Sequence, residues 1–154
     1  MVFMDIGCGY GFFTIPAAQI VDKRGKIYAI DVDSSAVEKL KLKASEKGLE
    51  NIITAVGEAE KTIFCEKCAD IVFFSIVLHD FKNPPKVLQN AKRMIKPNGM
   101  LINLDWKKKP TGFGPPTRIR FSAEEAQTMI KRAGFTIESN KDVGSNFYLI
   151  KAIP

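Results

Sequence analysis

Asp5 stands two residues ahead of glycines at every second position, Gly7, Gly9 and Gly11, and an apolar run, Val2–Met4, leads into them. Alternate glycines leave the main chain bare, so a ligand can approach amides that a Cβ would shield. Where such a turn passes from a strand into a helix, the free amides and the helix dipole lie behind the ligand. The spacing separates this turn from a pyrophosphate cradle. Dinucleotide sites use G-x-G-x-x-G to seat an anion on the helix N-terminus. Here the pattern is G-x-G-x-G, and the Asp5 carboxylate would repel a pyrophosphate; it suits a ligand with an ammonium or sulfonium centre.

A second acid, Asp31, ends the next apolar run 20 residues after Gly11. An acid there accepts hydrogen bonds from ribose hydroxyls. A helix N-cap is the competing role, for which Asp33 or Ser34 is better placed. Glu58, in Gly57-Glu58-Ala59, could accept from an adenine amino group or be a solvated loop acid. The ligand expected is a nucleoside bearing a cation, held by Asp5, Gly7, Cys8, Gly9, Gly11, Asp31, Val32, Glu58 and Ala59.

His79 is the single histidine. An imidazole titrates near neutrality and can serve as a base, or it can cap the strand or bond the next loop. Ser75, four residues earlier, lies under the ligand or is a small core residue. Cys65 and Cys68 form a lone C-x-x-C, which cannot complete a tetrahedral zinc site; the expectation is a chance pair on a loop and no metal. Lys107, Lys108, Lys109, Arg118 and Arg120 read as a solvated basic loop, with an acidic-substrate rim as the alternative. Trp106 lines an acceptor pocket or caps the core. Phe12 and Phe13 are expected to pack the first helix.

The elements that must position these residues alternate in character. Strands are expected at Val2–Ile6, Lys26–Val32, Asn51–Val56, Asp70–Leu78 and Met100–Asp105. The fourth is almost continuously apolar, as a strand covered on both faces should be. Helices are expected at Phe12–Val21, Ser35–Lys47 with Ser34 as N-cap, and Pro84–Ile95. A fourth runs from the capping box Ser122–Glu125 to Ala133. Lys96-Pro97-Asn98-Gly99 reads as a turn. The last two runs, Phe135–Glu138 and Asn146–Ala152, are too close for a parallel crossover and should pair antiparallel. The fold expected is a doubly wound α/β sheet of five parallel strands plus a C-terminal antiparallel hairpin, with helices on both faces.

The bulk properties agree. A chain of 154 residues, 45% hydrophobic, suits one domain with a real core, 1–154. The net charge of +6 is spread along the chain and does not single out nucleic acid. Three cysteines are too few for a disulfide framework, and a cytoplasmic setting is the default. No stretch is long and apolar enough to read as a membrane span, and the N-terminus lacks a basic signal region.

Taken in order, these motifs resemble the class I S-adenosylmethionine-dependent methyltransferases. The chain is most similar to the small-molecule group that includes the ubiquinone/menaquinone biosynthesis and arsenite methyltransferases. The carriers are Asp5 with Gly7, Gly9 and Gly11; Asp31; Gly57-Glu58-Ala59, where the family has Asp in the middle; Asp70 to His79; and Ile95-Lys96-Pro97-Asn98-Gly99. The resemblance implies a Rossmann-like methyltransferase fold and S-adenosylmethionine as methyl donor, leaving as S-adenosylhomocysteine. It implies in-line transfer to a small-molecule acceptor, with His79 as the catalytic candidate. A nucleic-acid acceptor is disfavoured: Ser-Ile-Val-Leu-His stands where an Asn/Asp-Pro-Pro-aromatic tetrad would follow the fourth strand. A cofactor-binding subunit acting through a partner is the alternative. Relatives carry helices upstream of the first strand that cover the cofactor. Their lack predicts a more open site, with a cover from the 107–120 loop, from an oligomer or partner subunit, or from residues upstream.

Overall fold

The computed structural model describes residues 1–154. Seven strands form one sheet in the order β3-β2-β1-β4-β5-β7-β6. The strands are β1 (Val2–Ile6), β2 (Lys26–Asp31), β3 (Ile52–Val56), β4 (Ala69–Ser75), β5 (Ile95–Trp106), β6 (Thr136–Val143) and β7 (Phe147–Ile153). The first five run parallel, and β7 pairs antiparallel with both β5 and β6. The expected doubly wound sheet with its C-terminal hairpin is therefore present, with the hairpin's second strand inserted against β5. The chain order reverses between β1 and β4, which puts the ligand crevice at the carboxyl ends of those strands.

Helices α1 (Thr14–Val21) and α2 (Ser34–Glu46) cover one face; α3 (Pro84–Met94) and α4 (Ala123–Arg132) cover the other. The larger core lies on the α3–α4 side and includes Met4, Ile30, Phe74, Leu78, Leu88, Leu101, Ile130 and Ile150. Each such side chain removed from water contributes roughly 1.5–3 kcal/mol. This apolar layer holds the strand ends in register beneath the crevice.

Several boundaries move, each for a local reason. Helix α1 begins at Thr14 rather than Phe12, because Pro16 lacks an N–H and fits only within a first turn. Asp33, not Ser34, caps α2: its carboxylate accepts from the amides of Ser35 at 2.9 Å and Ala36 at 3.2 Å. The β4 strand stops at Ser75 because Ile76 turns to φ 56°. The Lys96–Gly99 run is not a free turn. It belongs to β5, whose register against β4 shifts between the Ala69–Ile95 and Ile71–Met100 pairs. Asn98 keeps an ordinary negative φ there. A Cβ on Gly99 would come within 2.9 Å of the Ala69 and Asp70 carbonyl oxygens. The β6 strand extends to Val143 despite its polar sequence, since an edge strand need bury only one side. The capping box of α4 forms as expected: Ser122 Oγ accepts from the Glu125 amide at 3.1 Å, and Glu125 Oε2 accepts from the Ser122 amide at 2.7 Å.

Candidate functional site

The glycine turn is tied to the end of β2. Gly7 and Cys8 amides both donate to the Ile30 carbonyl, at 2.8 and 3.0 Å. The Gly9 amide donates to Asp31 Oδ2 at 2.8 Å, and the Asp33 amide to Asp31 Oδ1 at 2.9 Å. The Asp31 carboxylate therefore fixes the turn and still has lone pairs for further donors. Gly7 and Gly9 differ in what surrounds them. Both have positive φ, 81° and 49°. A methyl group on Gly7 would overlap Val77 from the loop after β4, whereas around Gly9 the space is empty to 4 Å. Gly7 lets two loops meet; Gly9 keeps backbone open to the crevice. Gly11 lies ahead of α1, and a side chain there would strike Leu40 of α2.

Beneath the turn lies Asp5, 1% exposed. Its Oδ2 accepts from Thr14 Oγ1 at 2.5 Å. Its Oδ1 has no partner. Burial pushes this carboxyl up to about 6, the Thr14 hydroxyl pulls it back, and the Asp31 charge adds to the rise. A buried acid with one unpartnered oxygen attracts a cation or donor. Cys8 is buried beside it, its thiol pushed up to about 12 by burial and by the charges of Asp5 and Asp31. It is a packed thiol rather than a nucleophile.

A cleft of about 390 Å³ opens next to the turn. Gly7, Asp31 and Val32, Gly57, Glu58 and Ala59, and Val77, Asp80, Phe81 and Lys82 line it, drawn from the ends of β1 and β2, of β3, and of β4. Val32 is 69% exposed and stands as an apolar wall. The Glu58 carboxylate, read as an adenine acceptor or a solvated loop acid, lines the cleft and pairs with Lys61 at 2.8 Å and Lys82 at 3.6 Å. Lys61, through its hydrogen bond and charge, holds that carboxyl below its usual range. The turn around Ala59 is fixed from α3: Asn90 Nδ2 donates to the carbonyls of Ala59 and Glu60, both at 2.9 Å. A larger hollow of about 640 Å³ lies at the opposite end of the sheet, around Asp22, Lys23, Lys47 and Asn51. There the C-terminal ends of α1 and α2 present carbonyls, and Asn51 Nδ2 already bonds those of Ala18 and Asp22. It is a surface dip whose Ala18 and Asp22 carbonyls are already met by Asn51.

Past Ser75 the backbone is strained. Ile76, a β-branched residue, sits in the left-handed region at φ 56°, and its amide donates to the Leu104 carbonyl at 2.7 Å. This turn throws Val77 against Gly7 and starts a short 3-10 helix, Leu78–Asp80. His79 lies there with its side chain 2% exposed, Nδ1 facing Asp105 and Nε2 facing Asp80. Asp105 and Thr14 were not among the expected residues. Asp105 carries the same signal as Asp31, an acid ending a parallel strand; Thr14 carries none.

Other expectations need correcting. Arg120 is not a rim cation or a solvated charge: it is buried, and it donates to the carbonyls of Lys107, Lys109, Phe113 and Pro115 and to Thr111 Oγ1. It also lies 4.8 Å over the Trp106 ring. Trp106 caps the core against Phe147 and Phe113. Lys107 and Lys108 pair with Asp142 and Glu125. Phe13 packs on Phe73, but Phe12 is 81% exposed. Cys65 and Cys68 are bonded to each other at the foot of β4, away from the crevice.

Known proteins share this arrangement. A family model described as a methyltransferase domain matches residues 1–140. The demethylmenaquinone methyltransferase of Geobacillus stearothermophilus is 29% identical over 111 residues, 72% of this chain and 47% of that protein. The nocamycin O-methyltransferase of Saccharothrix syringae is 30% identical over 117 residues, 76% of this chain and 39% of that protein. The chain thus spans about half the length, or less, of these curated relatives. A solved S-adenosylmethionine-dependent methyltransferase from Aquifex aeolicus superposes with a TM-score of 0.94 at 30% identity, covering 99% of this chain and 81% of that one. No helix is long and apolar enough to cross a membrane. With the glycine turn, the acid at the end of β2 and the sheet order all in agreement, the chain belongs to the methyltransferase-domain family.

Proposed function

We propose that the chain binds S-adenosylmethionine in this crevice and serves methyl transfer to a small-molecule acceptor, in a cytoplasmic setting. The observation that carries it is the Gly9 amide on the Asp31 carboxylate at 2.8 Å, beside backbone left open at Gly9. The residues fit the ligand. Asp31 retains lone pairs for ribose hydroxyls. Val32 and Phe81 offer apolar walls for a flat base across a cleft of about 390 Å³, within the usual range for small-ligand sites. The unpartnered Oδ1 of Asp5 supplies buried negative charge where the cationic methionine end would lie. Ser75 ends β4 on the same rim. The methyl group arrives activated, so the protein's work is binding, alignment and exclusion of water.

The two named curated relatives act on small molecules by their names, demethylmenaquinone and nocamycin. That supports a small acceptor over a nucleic acid. Phe12 and Val32 stand uncovered beside the turn. Their exposure supports a cover supplied by a partner, a second copy or further chain. Calorimetric titration with S-adenosylhomocysteine tests the reading, with NADH as control. Micromolar binding that NADH does not reproduce is expected. Binding of NADH instead would mark an oxidoreductase, and binding of S-adenosylmethionine without turnover of any acceptor would mark a non-catalytic subunit.

A further inference from the structure

Between β3 and β4 the chain runs from Gly57 to Cys68 with one 3-10 helix, Ala59–Lys61, as its regular structure. One end of this segment lines the crevice with Gly57, Glu58 and Ala59. The other end holds the bonded pair Cys65 and Cys68, their Cα atoms 6.0 Å apart, within the usual span for such a pair. Helix α3 ties down both ends. Asn90 Nδ2 holds the Ala59 and Glu60 carbonyls. At the cysteine end the Phe64 amide donates to Met94 Sδ at 3.4 Å, the Lys67 amide to the Arg93 carbonyl at 2.9 Å, and the Cys68 amide to the Met94 carbonyl at 2.8 Å. The segment is a strap from the crevice to the cysteine pair.

Three features mark the pair as reversible rather than a permanent staple. Both cysteines are half-buried at the margin of the larger core, and Glu66 and Lys67 between them are exposed, so the loop that joins them faces solvent. The bond joins residues only three apart, which removes little freedom from the unfolded chain. Lys67, inside that loop, is held in the left-handed region at φ 48°, where a non-glycine residue stays only under constraint. In the cytoplasmic setting proposed above, a cysteine pair that bonds is one that cycles.

We propose that Cys65 and Cys68 form a thiol–disulfide exchange site for small disulfides and thiols of the glutathione class, and that opening the pair loosens the strap lining the crevice. In the oxidising direction one cysteine thiolate attacks a sulfur of the small disulfide, whose S–S bond breaks and releases one small thiolate. The other cysteine thiolate attacks the protein sulfur of the mixed disulfide, forms the Cys65–Cys68 bond and expels the second small thiolate. Two electrons pass from the cysteines to the small disulfide, and the two cysteine protons end on the two small thiols. Reduction is the reverse. Cys8, buried in the glycine turn, takes no part.

The unaltered chain is equilibrated in glutathione buffers of graded thiol-to-disulfide ratio, quenched with acid, unfolded and alkylated, and each cysteine is read by peptide mass spectrometry. Cys65 and Cys68 should pass together from bonded to alkylated across the series, with Cys8 as internal reference. A pair that stays bonded, or stays open, at every ratio overturns the exchange site. Hydrogen exchange of the two forms reads the strap: amides of residues 59–64 should exchange faster in the reduced form, with β1 and β5 amides unchanged. Identical exchange overturns the coupling, and so does a redox response that persists when Cys65→Ser and Cys68→Ser are combined. The reduced chain should also bind S-adenosylhomocysteine several-fold more weakly by calorimetry, an arm that rests on the methyl-transfer reading. Equal binding by both forms overturns the coupling. Binding by neither form, with the exchange titration and the amide response intact, fails the cofactor reading and leaves the redox site standing.

Discussion

The Gly9 amide and the Asp31 carboxylate, 22 residues apart, meet at 2.8 Å and join the glycine turn to the end of β2. One carboxylate thus shapes the turn and faces the ligand. Replacing it by alanine removes two charge-assisted acceptors, each contributing about 1.5–3 kcal/mol. Asp31→Ala should raise the dissociation constant for S-adenosylhomocysteine about a hundredfold or more, read by calorimetric titration. Unchanged affinity would remove Asp31 from the site.

Gly7 and Gly9 should respond differently to the same substitution. Gly9→Ala meets empty space and bears only the left-handed backbone cost, about 1–2 kcal/mol. Gly7→Ala adds overlap with Val77, so it should destabilise by more, as overpacked sites do at ~1–3 kcal/mol further. Urea unfolding of both variants checks the order; a Gly9→Ala chain that is the less stable of the two contradicts it.

Asp5 predicts a pH effect with a definite sign. Its folded-state value, about 6, lies above its unfolded value, 3.8. Between these values the folded chain holds a proton that the unfolded chain has lost, so this group's contribution falls as pH rises through that window. A shift of two units corresponds to about 3 kcal/mol. Asp5→Asn should therefore stabilise the free chain at pH 8 and change little at pH 3.5, while weakening S-adenosylmethionine binding. Denaturation midpoints at both pH values check this.

Arg120 should govern the order of the 107–120 loop. A lysine keeps the charge but loses the planar fork that reaches five oxygens. Arg120→Lys should cost about 2–4 kcal/mol and raise hydrogen exchange across the loop amides while the β1 and β4 amides stay protected. Exchange spread evenly over the sheet would mean that the residue supports the whole core.

What the sequence determined by itself was whatever depends on near neighbours. Strand and helix order followed from apolar periodicity. The glycine turn, Asp31 and the Ser122–Glu125 capping box followed from spacing, because a turn or a cap is a local fit between backbone and side chain. The tertiary structure decided what depends on partners far along the chain. Glu58 found its partners in Lys61 and Lys82. Arg120 turned inward because loop carbonyls needed donors once buried. Asp105 gained meaning only when β4 and β5 paired and brought His79 to it, 26 residues apart. Charge and hydrogen-bond partners act through space, and no local pattern in the chain records which distant group will neutralise a buried one.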